Sequence, residues 1–177
     1  GHGPCILSPL TANMNPRLAD MACATPVGDA NGGLLEALAG AGGKPWIIAG
    51  VLANDPFRRP ADLLDALSKA GVNAVCNWPS VGLLNGELAA ALNHSGFIYE
   101  RELQLLQQAR ERGMATVTVA SDGQQLDETL NQGTDMLLVV PGLATGMAED
   151  RERRTAETEA LLQEAADRAA GLERRLY

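Results

Sequence analysis

The feature that most constrains the fold of this 177-residue chain is a junction between helix and strand that occurs three times. At each junction an amphipathic segment ends in glycine, at Gly71, Gly113 and Gly133, and a short apolar or β-branched segment follows within a few residues. A helix that ends at glycine and leads directly into a buried strand is typical of barrels and doubly wound sheets. The chain is therefore expected to be an α/β protein with a parallel sheet.

The predicted strands are continuous apolar or β-branched segments with little alternation, as expected for strands that are covered on both faces. They lie at 5–9, 46–52, 74–77, 116–120 and 136–140. Predicted helices occupy 31–39, 61–70, 85–93, 100–112, 124–131 and 149–175. This regular alternation favours a (β/α) TIM barrel, but a complete eight-stranded barrel needs about 250 residues. We therefore expect one TIM-barrel-like domain over residues 3–177, incomplete, with about five parallel strands and flanking helices.

Composition narrows the class of partner. The net charge is −8, with 14 Lys+Arg against 22 Asp+Glu, and phosphate neutralisation requires a basic face, so nucleic acid is not expected as the main partner. No apolar run approaches the roughly 18 residues of a membrane span, and no charged and then apolar leader opens the chain, so neither membrane insertion nor secretion is expected. We expect no nucleotide cofactor.

The cysteines and histidines restrict the chemistry further. The three cysteines are far apart and form no C-x-x-C pair, so we expect reduced thiols in a cytoplasmic protein. Of the two histidines, His2 lies in a Gly-His-Gly start that resembles a tag remnant at residues 1–2. His94 follows an Ala/Leu-rich helix and is interpreted as a residue at the helix C-terminus, which the helix dipole favours.

Polar residues follow every predicted strand, whereas glycine turns precede the strands. In barrel folds the active site collects at the carboxyl ends of the strands. This asymmetry predicts a site for a small anionic or carbonyl ligand. The candidate residues, in chain order, are Asp29, Asn31, Asp55, Arg58, Asn77, Ser80, Gly142 and Thr145.

Simpler interpretations of the same residues stay open. Asp29 and Asp122 have the position and chemistry of helix N-caps. Arg58 and its neighbour Arg59 could form a solvated surface pair, although a guanidinium at a strand end can also bind a carboxylate or phosphate at two points. The loop 142–146 could be only a turn. In the last helix, Leu161, Ala165 and three further apolar residues share one stripe, which fits either packing on the barrel or docking on another subunit.

A combination of motifs identifies a family resemblance. The motifs are Val27-Gly28-Asp29-Ala30-Asn31, Gly50-Val51 with Asp55-Pro56-Phe57-Arg58, Asn77-Trp78-Pro79-Ser80-Val81-Gly82-Leu83 with Gly86, Ser95-Gly96 with Tyr99-Glu100, and Gly142-Leu143 with Thr145-Gly146. In order and spacing they resemble the phosphoenolpyruvate hydrolase-like TIM-barrel family, which is related to phosphoenolpyruvate/pyruvate-domain enzymes and includes a domain of plant virus-resistance proteins of the Tm-1 type. The sequence departs from the family pattern in the loop after Leu7, which lacks the family's tyrosines, and at Val140, where the family has a histidine.

The resemblance implies an enzyme acting on a small 2-oxo acid, an enol phosphate or a related carboxylate, with hydrolase or lyase chemistry. Asp29 and Asp55 would be metal ligands or general bases, and Arg58 would bind the anion. Asn77, Ser80 and Glu100 would orient the substrate or relay a proton. Mg²⁺ would suit the carboxylate oxygens, although no spacing defines a metal site. The alternative is a ligand-binding or assembly module with reduced catalysis, a homo-oligomer formed through exposed sheet edges.

Overall fold

The computed structural model describes residues 3–8, 28–41, 47–142 and 148–175. In this part of the chain five parallel strands form one sheet, in the order in which they occur in the sequence. They are β1 (Cys5–Leu7), β2 (Ile47–Gly50), β3 (Ala74–Cys76), β4 (Ala115–Ala120) and β5 (Met136–Val139). Each strand pairs with the next, as in a (β/α) barrel. The structure confirms the predicted incomplete, TIM-barrel-like α/β fold, which is a half-barrel.

The helices flank this sheet. They are α1 (Ala30–Ala41), α2 (Pro60–Lys69), α3 (Gly86–His94), α4 (Tyr99–Glu111), α5 (Gly123–Gln132) and α6 (Ala148–Arg175), with a short 3-10 helix at Val81–Leu83. Each α-helix overlaps a predicted helix, whereas the strands other than β4 are shorter than predicted. Val51 and Leu52, for example, follow β2 and belong to the next loop, although both are buried.

The convex face of the sheet carries the larger core. Ala49 pairs with Val75 in the sheet register, and both side chains belong to the cluster that contains the buried leucines of the neighbouring helices. These leucines are Leu34 and Leu38 of α1, Leu63, Leu64 and Leu67 of α2, and Leu105 and Leu106 of α4. This packing positions the first residues of α1, α2 and α4 at the carboxyl ends of the strands.

The concave face carries a separate apolar layer. Ile48, Cys76, Val117 and Val119 are buried together here, and Leu83 of the 3-10 helix packs with them. Trp78, from the loop after β3, contacts the same cluster. The interior of this half-barrel is thus packed with side chains, as in complete TIM barrels.

The three junction glycines have the backbone conformation that the sequence predicts. Gly71, Gly113 and Gly133 have φ values of 80°, 76° and 81°, which L side chains rarely adopt. Arg110 of α4 secures the last of these junctions, because its guanidinium donates to the carbonyls of Gln132 and Gly133. The glycines therefore end the helices as expected.

The long helix α6 packs on the half-barrel through its middle. Ala165 is buried in a cluster with Leu126 of α5, and Leu161, Leu137 and Val139 pack against that cluster. This contact agrees with the interpretation of the apolar stripe as a barrel-packing face. Leu176, which the sequence places on the same stripe, lies outside the described residues. None of the helices in the described ranges has a segment that is both long and apolar enough to cross a membrane.

Candidate functional site

The carboxyl ends of the parallel strands lie at one edge of the sheet, which we call the carboxyl edge. Four predicted site residues come together there: Asp29, Asn31, Asp55 and Arg58, which we call the Arg58 cluster. Asp29 and Asn31 lie at the start of α1, whereas Asp55 and Arg58 belong to the loop between β2 and α2. The sequence separates these two segments, and the fold joins them.

Arg58 is the centre of this cluster. Its Nη1 and Nη2 donate to the two carboxylate oxygens of Asp29, with 2.7 Å between Nη2 and Oδ2. Its Nη1 also lies 3.7 Å from Oδ2 of Asp55. The Arg58 side chain is 27% exposed, compared with 82% for Arg59, so Arg58 is not simply a solvated surface residue.

Asp29 combines the two roles that the sequence suggests for it. Its Oδ1 accepts a hydrogen bond of 2.9 Å from the backbone N–H of Gly32, which is the geometry of a helix N-cap. The hydrogen bonds from Arg58 lower the pKa of the Asp29 carboxyl below its ordinary value, and the Gly32 N–H lowers it further. Asp29 is therefore an anion at neutral pH that both caps α1 and binds Arg58.

Asn31 anchors the cluster to the core. This fully buried side chain accepts from the N–H of Leu52 and donates to the carbonyl of Leu52, both at 3.0 Å. It also donates to Oδ2 of Asp55 at 2.8 Å, while Oδ1 of Asp55 accepts from the N–H of Phe57. The Asp55 side chain is only 5% exposed, so its orientation is fixed by these partners.

A second polar group at the carboxyl edge surrounds Glu102 of α4. This carboxylate is fully buried, and its Oε2 accepts from Nδ2 of Asn77 at 2.8 Å and from Oγ of Ser80 at 2.6 Å. Its Oε1 accepts from the N–H of Val81 at 2.8 Å and from Nδ2 of Asn54 at 3.4 Å. We call these five residues the Glu102 network.

The two amides of this network are held in one orientation by the backbone. Oδ1 of Asn77 accepts from the N–H of Val119 at 2.7 Å, so its Nδ2 is the atom that faces Glu102. Oδ1 of Asn54 likewise accepts from the N–H of Ile98, at 3.3 Å. The amide donors of Asn54 and Asn77 that point at Glu102 are therefore not free to become acceptors, and they favour a carboxylate at this position.

Burial and hydrogen bonding act on Glu102 in opposite directions. Desolvation disfavours the charged form and raises the pKa of Glu102 to about 7, while the hydrogen bonds from Ser80, Val81, Asn77 and Asn54 lower it only in part. Burial thus brings the pKa of this carboxyl close to neutrality.

Of the predicted site residues Asn77, Ser80 and Glu100, the first two belong to the Glu102 network. The family resemblance implies that Asn77 and Ser80 orient substrate, and this role stays a prediction. In the structure their side chains are completely buried and bind Glu102. Glu100 is exposed and lines a small cleft of about 220 Å³ together with Asp122. Its proposed role in proton relay remains a prediction.

Sequence reasoning missed Glu102, although a signal was present. Glu102 follows Tyr99 by three residues and precedes Leu106 by four, so it lies on the apolar face of α4. A charged residue at such a position is buried only when other groups satisfy it. That spacing distinguishes Glu102 from Glu100, which does not share this face.

A cavity of about 520 Å³ lies at the carboxyl ends of β4 and β5, within the size range of small-molecule sites. Gly82, Ser121, Asp122 and the predicted site residue Gly142 contribute to its wall, and α6 closes one side. Arg154 of α6 donates to the carbonyl of Gly142 at 3.0 Å and so holds this wall in place. The predicted residue Thr145 lies outside the described residues.

The described residues do not form a magnesium site by themselves. Within them, no group of three or more His, Cys, Asp or Glu side chains converges. Both oxygens of Asp29 accept from Arg58. Of the Asp55 oxygens, Oδ2 accepts from Asn31 and Oδ1 accepts from the N–H of Phe57. A hard cation would therefore have to displace these donors before it could bind either aspartate.

Comparison with known proteins gives one family and several relatives. A profile of the family described as phosphoenolpyruvate hydrolase-like matches residues 17–175. An uncharacterized protein of Sinorhizobium fredii, y4oT, is 38% identical over 114 residues, which cover 64% of this chain and 58% of that protein. The ToMV resistance protein Tm-1 of Solanum lycopersicum is 32% identical over 99 residues, which cover 56% of this chain and 13% of that protein. The matches thus span less than two thirds of the length of these relatives.

Proposed function

Because this chain belongs to the phosphoenolpyruvate hydrolase-like family, we propose that its carboxyl edge binds a small carboxylate, a 2-oxo acid or an enol phosphate, and acts on it by hydrolase or lyase chemistry. The site lies where barrel enzymes carry theirs, at the ends of parallel strands. Fold alone does not fix function, so the proposal depends on the residues of the Arg58 cluster.

The observation that carries the proposal is the placement of Arg58 between Asp29 and Asp55. In the described structure Asp29 takes two of the five N–H donors of the guanidinium. A ligand carboxylate or phosphate can bind the remaining donors or replace Asp29, which is half exposed. A guanidinium that is already fixed in position loses little conformational entropy when it binds such a ligand.

The carboxylates have different environments and so different proposed roles. Asp29 is the more accessible of the two carboxylates, and it would be the general base once the ligand has displaced it from Arg58. Because Arg58 would hold the ligand, Arg58 would also set the distance between the ligand and Asp29. Asp55 is held by Asn31 and the Phe57 N–H, and it would keep Arg58 in place. Asn77 and Ser80 would shape the loop after β3, since their side chains bind Glu102.

The first test is a thermal-shift titration with pyruvate, phosphoenolpyruvate and oxaloacetate, each with and without Mg²⁺. A ligand at about 100 times its Kd adds roughly 2.7 kcal/mol to stability, which such a titration detects. Dependence of the shift on Mg²⁺ would support a metal ion held by ligand oxygens together with Asp29 or Asp55. Turnover of any ligand that binds is then assayed.

The chain offers a matched control for this test. Arg58 and Arg59 are neighbours and each donates two hydrogen bonds to one aspartate, but Arg59 and its partner Asp62 are exposed at the start of α2. We expect Arg58→Ala to abolish the ligand-induced shift and Arg59→Ala to retain it. Equal shifts in the two variants would contradict an anion site at Arg58.

A second candidate function, an assembly module, is favoured by the edges of the half-barrel. Among the described residues β1 and β5 are the outer strands of the sheet, and Met136 of β5 is 52% exposed. Unpaired edge strands invite pairing with another chain, so a homo-oligomer could supply neighbouring strands. Light scattering combined with size-exclusion chromatography measures the mass in solution. A stable oligomer that binds none of the three acids would favour this candidate, and a monomer would count against it.

A cytoplasmic location is part of the proposal. It is supported by Cys5 and Cys76, which form no disulfide within the described residues, since a reducing compartment keeps thiols unpaired. Fractionation of cells that produce the full natural protein, followed by detection of this domain, would test it.

A further inference from the structure

Glu102 joins two loops of the carboxyl edge through its hydrogen bonds. Asn54 belongs to the loop after β2, whereas Asn77, Ser80 and Val81 belong to the loop after β3. All four donate to the one carboxylate. The helix that carries Glu102 is itself packed into the core through Leu103, Leu105 and Leu106, so the carboxylate is a fixed point.

Each of the two loops leads to a different part of the candidate site. Asn54 directly precedes Asp55, which contacts Asn31 and Arg58. Val81 directly precedes Gly82, which lines the 520 Å³ cavity and whose carbonyl accepts from Ser121 and Gln125. A movement of either loop at Glu102 would therefore be transmitted along the backbone to the Arg58 cluster on one side and to the cavity on the other.

We infer that Glu102 is a positioning residue of the carboxyl edge, whose carboxylate holds the loops after β2 and β3 in the single arrangement that forms the ligand site. Its effect on ligand binding rests on the function proposed above, whereas its effect on the loops does not. Glu102 is completely buried, so we assign it a positioning role and not contact with the ligand.

The change Glu102→Gln keeps the size of the side chain and removes one acceptor oxygen, so it tests the hydrogen bonds of the carboxylate and not the packing of the side chain. In either orientation of the glutamine amide, its NH₂ would face the Nδ2 of Asn54 or of Asn77. Neither asparagine can turn its oxygen toward it, because the two oxygens accept from the N–H groups of Ile98 and Val119. At least one donor of the loops is then left without its acceptor. Glu111→Gln is the matched control, since Glu111 lies on the same helix, is exposed and accepts only from Gln107 among the contacts of the described residues.

Trp78 supplies a reporter of the loop that is independent of any ligand. It lies between Asn77 and Ser80, both bound to Glu102, and its ring packs on the concave cluster. The chain has two tryptophans, so Trp78 is observed alone in a Trp46→Phe background. Acrylamide quenching of its fluorescence measures how well the loop is held.

The quenching of Trp78 and the Kd for phosphoenolpyruvate, the probe ligand, are measured well below the melting temperature of each variant. We expect Glu102→Gln to increase the quenching of Trp78 and to weaken the Kd about tenfold, and Glu111→Gln to change neither. A Glu102→Gln variant that melts earlier but keeps the original quenching and Kd would overturn the inference, because the role would then be limited to stability. Recovery of both properties in Glu102→Asp would support it, since that change restores the carboxylate.

Two further outcomes are also decisive. If the unsubstituted protein does not bind phosphoenolpyruvate or the other two acids, the proposed function fails, and the quenching of Trp78 alone decides the role of Glu102. If Glu102→Gln does not fold, Ser80→Ala replaces it, because this change leaves the carboxylate and removes the donor of Ser80, together with the hydrogen bond that its Oγ accepts from the Gly82 N–H. Increased quenching in Ser80→Ala supports the inference, and unchanged quenching overturns it.

Discussion

Arg58 and Asp29 form an ion pair with two hydrogen bonds that ties the loop after β2 to the first turn of α1. The same carboxylate caps α1 through the N–H of Gly32, so one side chain serves the helix and the guanidinium at once. A ligand that takes Arg58 from Asp29 would leave the cap in place. The two functions of Asp29 can therefore be separated by substitution.

Asp29→Asn is expected to keep the cap and lose the charge, because asparagine caps helices as well as aspartate does. The free energy of unfolding should fall by less than about 1 kcal/mol, since the pair is partly exposed. The affinity for a small carboxylate should rise or stay the same, because Arg58 is no longer neutralised, whereas turnover should be lost if Asp29 is the base. Calorimetric titration and an activity assay measure the two effects.

Asp62→Asn is the control for this change. Asp62 is exposed to a similar degree and binds Arg59 as Asp29 binds Arg58, but it lies away from the Arg58 cluster on α2. Its substitution should leave both affinity and turnover unchanged. Loss of turnover in both variants would show that the effect is not specific to the carboxyl edge.

Asn31→Ala should destabilise the protein by about 3 kcal/mol. The change removes two hydrogen bonds to the buried backbone of Leu52 and leaves that N–H without its acceptor, and it also frees Asp55. Asn85→Ala is a suitable comparison, since Asn85 is exposed and makes no side-chain capping bond to α3. Denaturation with urea gives both values, and similar losses in the two variants would contradict an anchoring role for Asn31.

Much of the fold and part of the site could be predicted from local sequence. The junction glycines and the apolar strands are properties of short segments, and so is the clustering of polar residues at strand ends. The pairing of Arg58 with Asp29 could not be predicted, because it joins segments 29 residues apart in the sequence. Glu102 was missed for a related reason: its burial depends on donors from two distant loops, and only the spacing from Tyr99 hints at it.

Gly50→Ala tests the packing beneath the site. A Cβ at this position of β2 would lie 2.9 Å from the carbonyl oxygen of Trp78 and 3.0 Å from the side chain of Ile6. Because a backbone atom is the obstacle, we expect a loss of about 1–3 kcal/mol in the free energy of unfolding. Gly40→Ala in α1 meets no atom within 4 Å, and it should instead stabilise the helix by about 0.5–1 kcal/mol. Equal effects of the two changes would contradict the close approach at Gly50.

The raised pKa of Glu102 predicts how stability depends on pH. The pKa of the buried carboxyl is about 7, above the ordinary value of 4.5, so the folded protein holds this proton more tightly than the unfolded chain does. The stability that this group contributes is then complete below about pH 4.5 and is lost as the pH rises through about 7. Relative to Glu102→Gln, the free energy of unfolding should fall by about 3 kcal/mol over that window and stay level above it.

The neighbouring titratable groups do not obscure this window. In the part of the chain that the structure describes, Cys76 and Tyr99 interact with the Glu102 charge. Burial raises the pKa of Cys76 to about 12 and raises that of Tyr99 further above neutrality. Both stay neutral between pH 4.5 and 8. Urea denaturation at several pH values in this range measures the gap between the protein and Glu102→Gln, with Glu111→Gln as the control that should follow the unsubstituted protein. If the free energy of unfolding of the unsubstituted protein instead rises with pH relative to that of Glu102→Gln, the four hydrogen bonds outweigh burial and Glu102 is ionised well below neutrality.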